Sequence, residues 1–135
     1  MEFRIEYKDG YFVGTTFGEA VTAQFEDLLG AMLVHAEWNP GMSWMYDHTE
    51  LLADPLTADD IRTIAQMCSD RRELLGMGRC AIVAGRDLEF GLGRMLSMYV
   101  DGRWDVDVSV FRTVAEGLEW LLHIKTNGVC CEFPD

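Results

Sequence analysis

Positive charge is scarce in this chain. Eleven Lys and Arg residues stand against 23 Asp and Glu, for a formal net charge of −12. Phosphate backbones and anionic lipid leaflets are bound chiefly through Lys and Arg, so neither nucleic acid nor a membrane surface is an expected partner. The apolar runs all fall well short of a membrane-spanning helix, so no membrane span is expected. The opening Met-Glu-Phe-Arg-Ile-Glu-Tyr has no apolar stretch of the kind a secretion signal needs. Cysteine is also sparse. Cys68, Cys80, Cys130 and Cys131 show neither zinc spacing nor Cys-x-x-Cys. Without a signal, they read as reduced thiols in the cytoplasm. No repeat, linker or low-complexity segment is found, and no motif requires a cofactor.

What is present is ordinary for a globular protein: 49% apolar and 25% charged residues in 135. A chain of this length can bury roughly two-thirds of its unfolded surface and needs no metal or disulfide to fold. The stretch Gly78-Arg-Cys-Ala-Ile-Val-Ala-Gly-Arg-Asp87 organises the rest. Cys80 to Ala84 is apolar without alternation, as in a strand covered on both faces. Gly85 breaks it, and Asp87 is placed to cap a following helix.

From the start of the chain, Phe3, Ile5 and Tyr7 alternate with Glu2, Arg4, Glu6 and Lys8, a strand with one wet face. Asp9-Gly10 signals a hairpin into a second strand, Tyr11 to Phe17. Thr22 can cap a helix whose apolar stripe runs from Phe25 to Ala36, and Asn39-Pro40-Gly41 ends it. Ser43 to Asp47 reads as a third strand and Asp47 to Pro55 as a loop. Thr57 caps a second helix carried to Leu75, with Asp59 and Asp60 in its first turn and Leu56 set to staple onto Ile61. After the central strand comes a helix from Asp87 to about Val100, its buried face marked by Leu88, Leu92, Met95, Leu96 and Tyr99. Gly91 and Gly93 suggest close packing or a weak start there. Val106, Val108 and Val110 form an edge strand, and Thr113-Val-Ala-Glu116 is a capping box for a last helix anchored by Leu118, Leu121 and Leu122.

The order β-β-α-β-α-β-α-β-α predicts a single α/β domain over residues 1–124 with a tail at 125–135. An antiparallel hairpin followed by βα units predicts a mostly parallel five-stranded sheet with about four helices.

Several features are candidates for chemistry. Asp47, His48, Glu50, Asp54, Asp59 and Asp60 form an acidic segment that could hold a hard cation or simply solvate a loop and a helix start. His48 follows a strand and would lie at the ligand-binding edge of an α/β sheet, though no Ser or Cys partner is indicated. Arg86, at a helix N-terminus, could meet an anion. Methionine and tryptophan are abundant: Trp38, Met42, Trp44 and Met45 cluster around the third strand, and Met95, Met98 and Trp104 flank the third helix. They read either as core or as an apolar pocket or contact patch. Phe90 and Met98 sit off the third helix's main stripe, so that helix and the loop after it are expected to line a dimer interface or an apolar pocket.

Val108-Ser-Val-Phe111 leading to Gly117-Leu-Glu-Trp120-Leu121, with this element order, resembles the SpoIIAA-like group of STAS domains over about residues 3–122. That group typically has Ala where Gly117 stands. The resemblance implies strands that follow one another in space, wrapped by helices, in a regulatory or ligand-binding module rather than an enzyme. Anti-anti-sigma members carry a phosphorylated Ser in an Asp-Ser-Ser-Gly or Asp-Ser-x-Gly motif at the second helix. Here the region is Leu52-Ala-Asp-Pro-Leu-Thr-Ala-Asp59, and Thr57 is the nearest equivalent hydroxyl. A likeness to CRAL-TRIO lipid-transfer folds implies an apolar or lipid-like ligand. The leading expectation is therefore a non-enzymatic module that binds a protein partner or a small apolar ligand. The alternatives are a small enzyme using His48 and its neighbouring carboxylates, and a homodimeric scaffold.

Overall fold

The computed structural model describes residues 1–101 and 106–126. Trp104, Cys130 and Cys131 lie outside them. The chain opens with β1 (Glu2–Lys8) and β2 (Tyr11–Glu19), paired antiparallel through a turn in which Asp9 and Gly10 both take positive φ. Then come α1 (Thr22–Leu33), β3 (Ser43–Leu52), α2 (Ala58–Asp70), the short α3 (Arg72–Leu75), β4 (Arg79–Val83), α4 (Asp87–Val100), β5 (Asp107–Phe111) and α5 (Val114–Thr126). The sheet order is β1-β2-β3-β4-β5, with every pair after the hairpin parallel. β4 is interior and β1 is an edge, as the apolar run and the alternation respectively require. No helix among the described residues is long and apolar enough to cross a membrane.

The helices divide unequally between the two faces. α1, α2 and α4 cover one face, where Phe12, Trp44, Tyr46, Cys80 and Ile82 meet Leu28, Leu29, Met32, Ile61 and Ile64. α5 covers the other, with Leu121 against Met45, Ala81 and Val83. Glycine sets both contacts. A Cβ on Gly93 would lie 3.2 Å from Val110, and one on Gly117 2.8 Å from the Met45 side chain. The smallest residue thus brings α4 and α5 down onto the sheet. Met45 therefore does not join the Trp38–Met42–Trp44 cluster, because strand alternation sends it to the opposite face.

Local start chemistry holds for α2. Thr57 Oγ1 accepts from the Asp60 N–H at 3.2 Å, and the Asp60 carboxylate accepts from the Thr57 N–H at 2.8 Å. That second bond keeps the Asp60 pKa below its usual value. Leu56 and Ile61 both pack into the core beneath the cap. Thr57→Ala should cost about 1 kcal/mol of unfolding free energy in urea melts. A change below a few tenths would remove the cap from any account of this helix.

Other boundaries differ from those expected. Val21, not Thr22, occupies the α1 cap position, and α1 ends at Leu33 rather than Ala36. The second helix breaks at Arg71 into α2 and α3. Arg86 occupies the α4 cap position without a side-chain cap, and Asp87 instead pairs with Arg112 at 2.8 Å. Leu88 is 43% exposed, and Glu89 takes the inward position. Bringing Gly93 onto the sheet fixes the rotation of α4, which places Glu89, Gly93 and Val100 inward. The largest difference is β3, which runs on to Leu52 through residues expected to be a loop.

Candidate functional site: an apolar cavity under a β-bulge

The extension of β3 creates the site. Thr15 pairs with Asp47 and Phe17 with Glu50, so Thr16 alone faces both His48 and Thr49. This is a bulge in β3, and it reverses the parity of the strand. Before it, Trp44, Tyr46 and His48 face the three-helix side; beyond it, Leu51 and Ala53 do so. Asp47 braces the bend by accepting from Thr49 N–H at 3.1 Å and Thr49 Oγ1 at 2.7 Å.

Beneath the bulge, between the carboxyl half of the sheet and α1, α2 and α4, lies a cavity of about 60 Å³. Its walls include Phe25, Leu29, Leu51, Ile61, Ile64, Ile82, Leu92 and Leu96. Tyr46, His48, Cys68 and Glu89 complete the lining. A separate void of about 20 Å³ lies between Trp44, Cys80, Leu96 and Val108.

His48 is the best-defined polar group. Its Nδ1 lies 2.7 Å from the hydroxyl of fully buried Thr16. The Tyr46 ring stacks on it with centroids 5.7 Å apart, and Phe25 meets it edge-on at 5.9 Å. Burial lowers its pKa to about 4, against the weaker opposing pull of Asp47 and Glu89. It is a neutral imidazole at pH 7. Desolvation likewise raises the Cys68 thiol to about 12 and the Tyr46 phenol well above its ordinary value. All three are uncharged.

Among the described residues Glu89 is the one carboxylate in the wall. It accepts from the Ala53 N–H at 2.8 Å and from Arg86 through both oxygens, Nε lying at 2.8 Å. Arg86 also donates to Asp54 at 2.8 Å. These bonds hold the Glu89 and Asp54 pKa values low and the Arg86 pKa high. Arg86 ties the loop after β3 to the start of α4, with two carboxylates already on its guanidinium. That leaves it poorly placed to receive an external anion.

The other residues singled out from sequence are scattered. Trp38 donates to the Leu74 carbonyl at 2.9 Å and packs edge-on against Trp44. Trp44 and Met45 are buried on opposite sheet faces. Phe90 lies under the Arg112 guanidinium, Met95 packs against the core, and Met98 is 72% exposed. Thr57 is occupied in the α2 cap. The acidic segment is divided among separate tasks: Asp47 on Thr49, Asp54 on Arg86, Asp59 on Arg62 and Asp60 in the cap. Among the described residues no group of three or more His, Cys, Asp or Glu could hold a metal ion. Thr16 and Glu89 were not singled out from sequence. Two β-branched hydroxyls in a strand and a Glu in a helix's first turn are each unremarkable until the bulge and the helix rotation bring them to the cavity.

No protein-family model and no curated protein matches the sequence. Its structure is similar to that of an uncharacterised DUF3478-family protein from Shewanella loihica PV-4, a crystal structure at 2.25 Å with a SpoIIAA-like fold. The TM-score is 0.58 at 20% identity, covering 89% of this chain and 92% of that one. With its five consecutive strands and one antiparallel edge pair, this chain has the SpoIIAA-like fold.

Proposed function

We propose that this protein is a non-enzymatic, STAS-like binding module whose ligand enters the cavity under the β3 bulge with an apolar group. The observation that carries this reading is the cavity wall: a predominantly apolar lining at the carboxyl ends of parallel strands, where α/β sheets commonly bind ligands. Cavities lined chiefly by apolar side chains take up apolar guests. The state of the polar groups supports binding over catalysis. The Thr16 hydroxyl beside His48 is fully buried, out of reach of a substrate. The Cys68 thiol is pushed away from the reactive thiolate.

The size limits the guest. A cavity of about 60 Å³ has room for a small group of a few heavy atoms and no more. That suits the end of an alkyl chain or a small branched group, with any larger body outside.

Pentane is a fitting probe. In methyl NMR at pH 7 it should shift Leu51, Ile61 and Leu92 saturably while Leu121, on the far face of the sheet, stays still. If no cavity methyl moves up to the solubility of pentane, the reading is wrong.

A further inference from the structure

We propose that the free edge of β1 docks a second copy of this chain: two β1 strands pair antiparallel about a two-fold axis at Ile5 and join two five-stranded sheets into one. This interface is independent of the cavity.

The backbone of this edge is open. Among the described residues β1 pairs only with β2. It contains no Pro or Gly, and its register with β2 runs from Glu2 to Lys8 without a shift. Proline and bulges are common means of closing an edge to further strands, and β1 has neither. Asp9 and Gly10, both at positive φ, form a two-residue turn, which closes on a hydrogen-bonded pair, here Lys8 with Tyr11. Bonded and non-bonded pairs alternate along an antiparallel ladder. Glu2, Arg4, Glu6 and Lys8 therefore turn their backbone N–H and C=O toward β2, while Phe3, Ile5 and Tyr7 turn theirs to the free edge. That row of donors and acceptors is set to receive another strand.

The side chains select the partner and the register. Charge on an edge commonly blocks pairing, and a chain with net charge −12 repels itself over most of its surface. In β1 the acids Glu2 and Glu6 balance the bases Arg4 and Lys8, and the four alternate in sign. A two-fold axis at Ile5 sets Arg4 opposite the partner's Glu6, Glu2 opposite the partner's Lys8 and Phe3 opposite the partner's Tyr7. Opposite charges and aromatic rings in such positions attract. The next register one way sets Arg4 opposite the partner's Arg4 and Glu2 opposite the partner's Glu6. The next register the other way sets Glu6 opposite the partner's Glu6 and Arg4 opposite the partner's Lys8. Intermediate slips would oppose apolar to charged side chains. The side chains are within reach: Arg4 and Glu6 pair loosely with each other at 3.5 Å and remain 59% and 41% exposed. Arg4 also lies over the Phe17 ring at 5.3 Å. On the opposite face Tyr7 is exposed, and Phe3 and Ile5 are half-buried.

The test is sedimentation equilibrium of the full chain at pH 7 in about 0.15 M salt. A strand of 7 residues is small beside the roughly 20–30 residues a side of a standard interface, so the dimer is weak and is sought from about 10 µM to 1 mM. The wild type should show a reversible monomer–dimer equilibrium in that range. Arg4→Glu and Glu6→Lys should each weaken it by about tenfold or more, because two-fold symmetry places like charges opposite each other twice. An equal mixture of the two variants should recover the dimer, since every opposed pair then again joins opposite signs. Amide exchange in the wild type should slow at Phe3, Ile5 and Tyr7 as concentration rises, a measurement that needs no variant to fold. A wild type that stays monomeric at 1 mM overturns the proposal. So does a dimer that both substitutions leave as tight as before, a mixture no tighter than its components, or a dimer that leaves those three amides unchanged.

Discussion

Gly76→Ala should destabilise the protein by about 3 kcal/mol or more. Gly76 closes α3 at φ 79° and ψ −159°, a region that only glycine occupies freely. A Cβ there would sit 2.3 Å from the Gly41 backbone nitrogen and 2.9 Å from the Pro40 carbonyl carbon. Those neighbours are backbone, and the Gly41 N–H is itself bonded to the Leu75 carbonyl at 2.8 Å. Neither side can yield without breaking the junction that leads the chain into β3 and β4. Backbone strain and overpacking add, and each costs about 1–3 kcal/mol. Gly30→Ala is the internal control. It lies inside α1, with nothing within 4 Å of its would-be Cβ, and should be neutral or stabilising by up to about 1 kcal/mol. Urea melts of the two variants beside the wild type decide the matter. A Gly76→Ala protein within 1 kcal/mol of wild type would mean that the α3 turn is not held in this conformation.

The second large effect is on acid stability. His48 has a folded pKa of about 4, set chiefly by burial, against an unfolded value near 6.5. Between those values the unfolded chain takes up a proton that the folded protein refuses. Stability must therefore fall as the pH drops from about 6.5 toward 4, by up to about 3 kcal/mol. Asp47 and Glu89 pull the other way and are already included in that folded value. The packed Tyr46 and Cys68 remain neutral throughout this range. The carboxylates of Asp54, Asp60 and Glu89 have lowered pKa values, so their contribution is present above the ordinary carboxylate range and is lost only as pH falls through the folded values. Their loss follows that of His48. Urea midpoints at pH 7, 6, 5 and 4.5 should decline steeply for the wild type and much less for His48→Phe. Parallel declines would show that the imidazole is not held neutral by the cavity.

The features legible in the sequence are those that local chemistry determines. The hairpin follows from alternation plus Asp9-Gly10, which both adopt positive φ. β4 follows from an apolar run that only a doubly covered strand can accommodate. The α2 start follows from a reciprocal pair of bonds between residues three apart. Short motifs near β5 and α5 were enough to suggest the fold that the structural likeness shows.

The site was decided elsewhere. Alternation breaks at His48, so the chain beyond it reads as a loop; in the folded protein β2 supplies the hydrogen bonds and the bulge absorbs the misfit. The same bulge puts Thr16, 32 positions away in the chain, against His48. The face of α4 depends on which residue tolerates the sheet at 3.2 Å, and Gly93 outweighs the apolar preference of Leu88. Once α4 is so rotated, Glu89 is buried where Arg86 and the Ala53 N–H can satisfy it. Composition and periodicity report how much of each element is apolar. Which apolar and polar groups share one cavity depends on register and close approach between distant segments, and those exist only once the chain has folded.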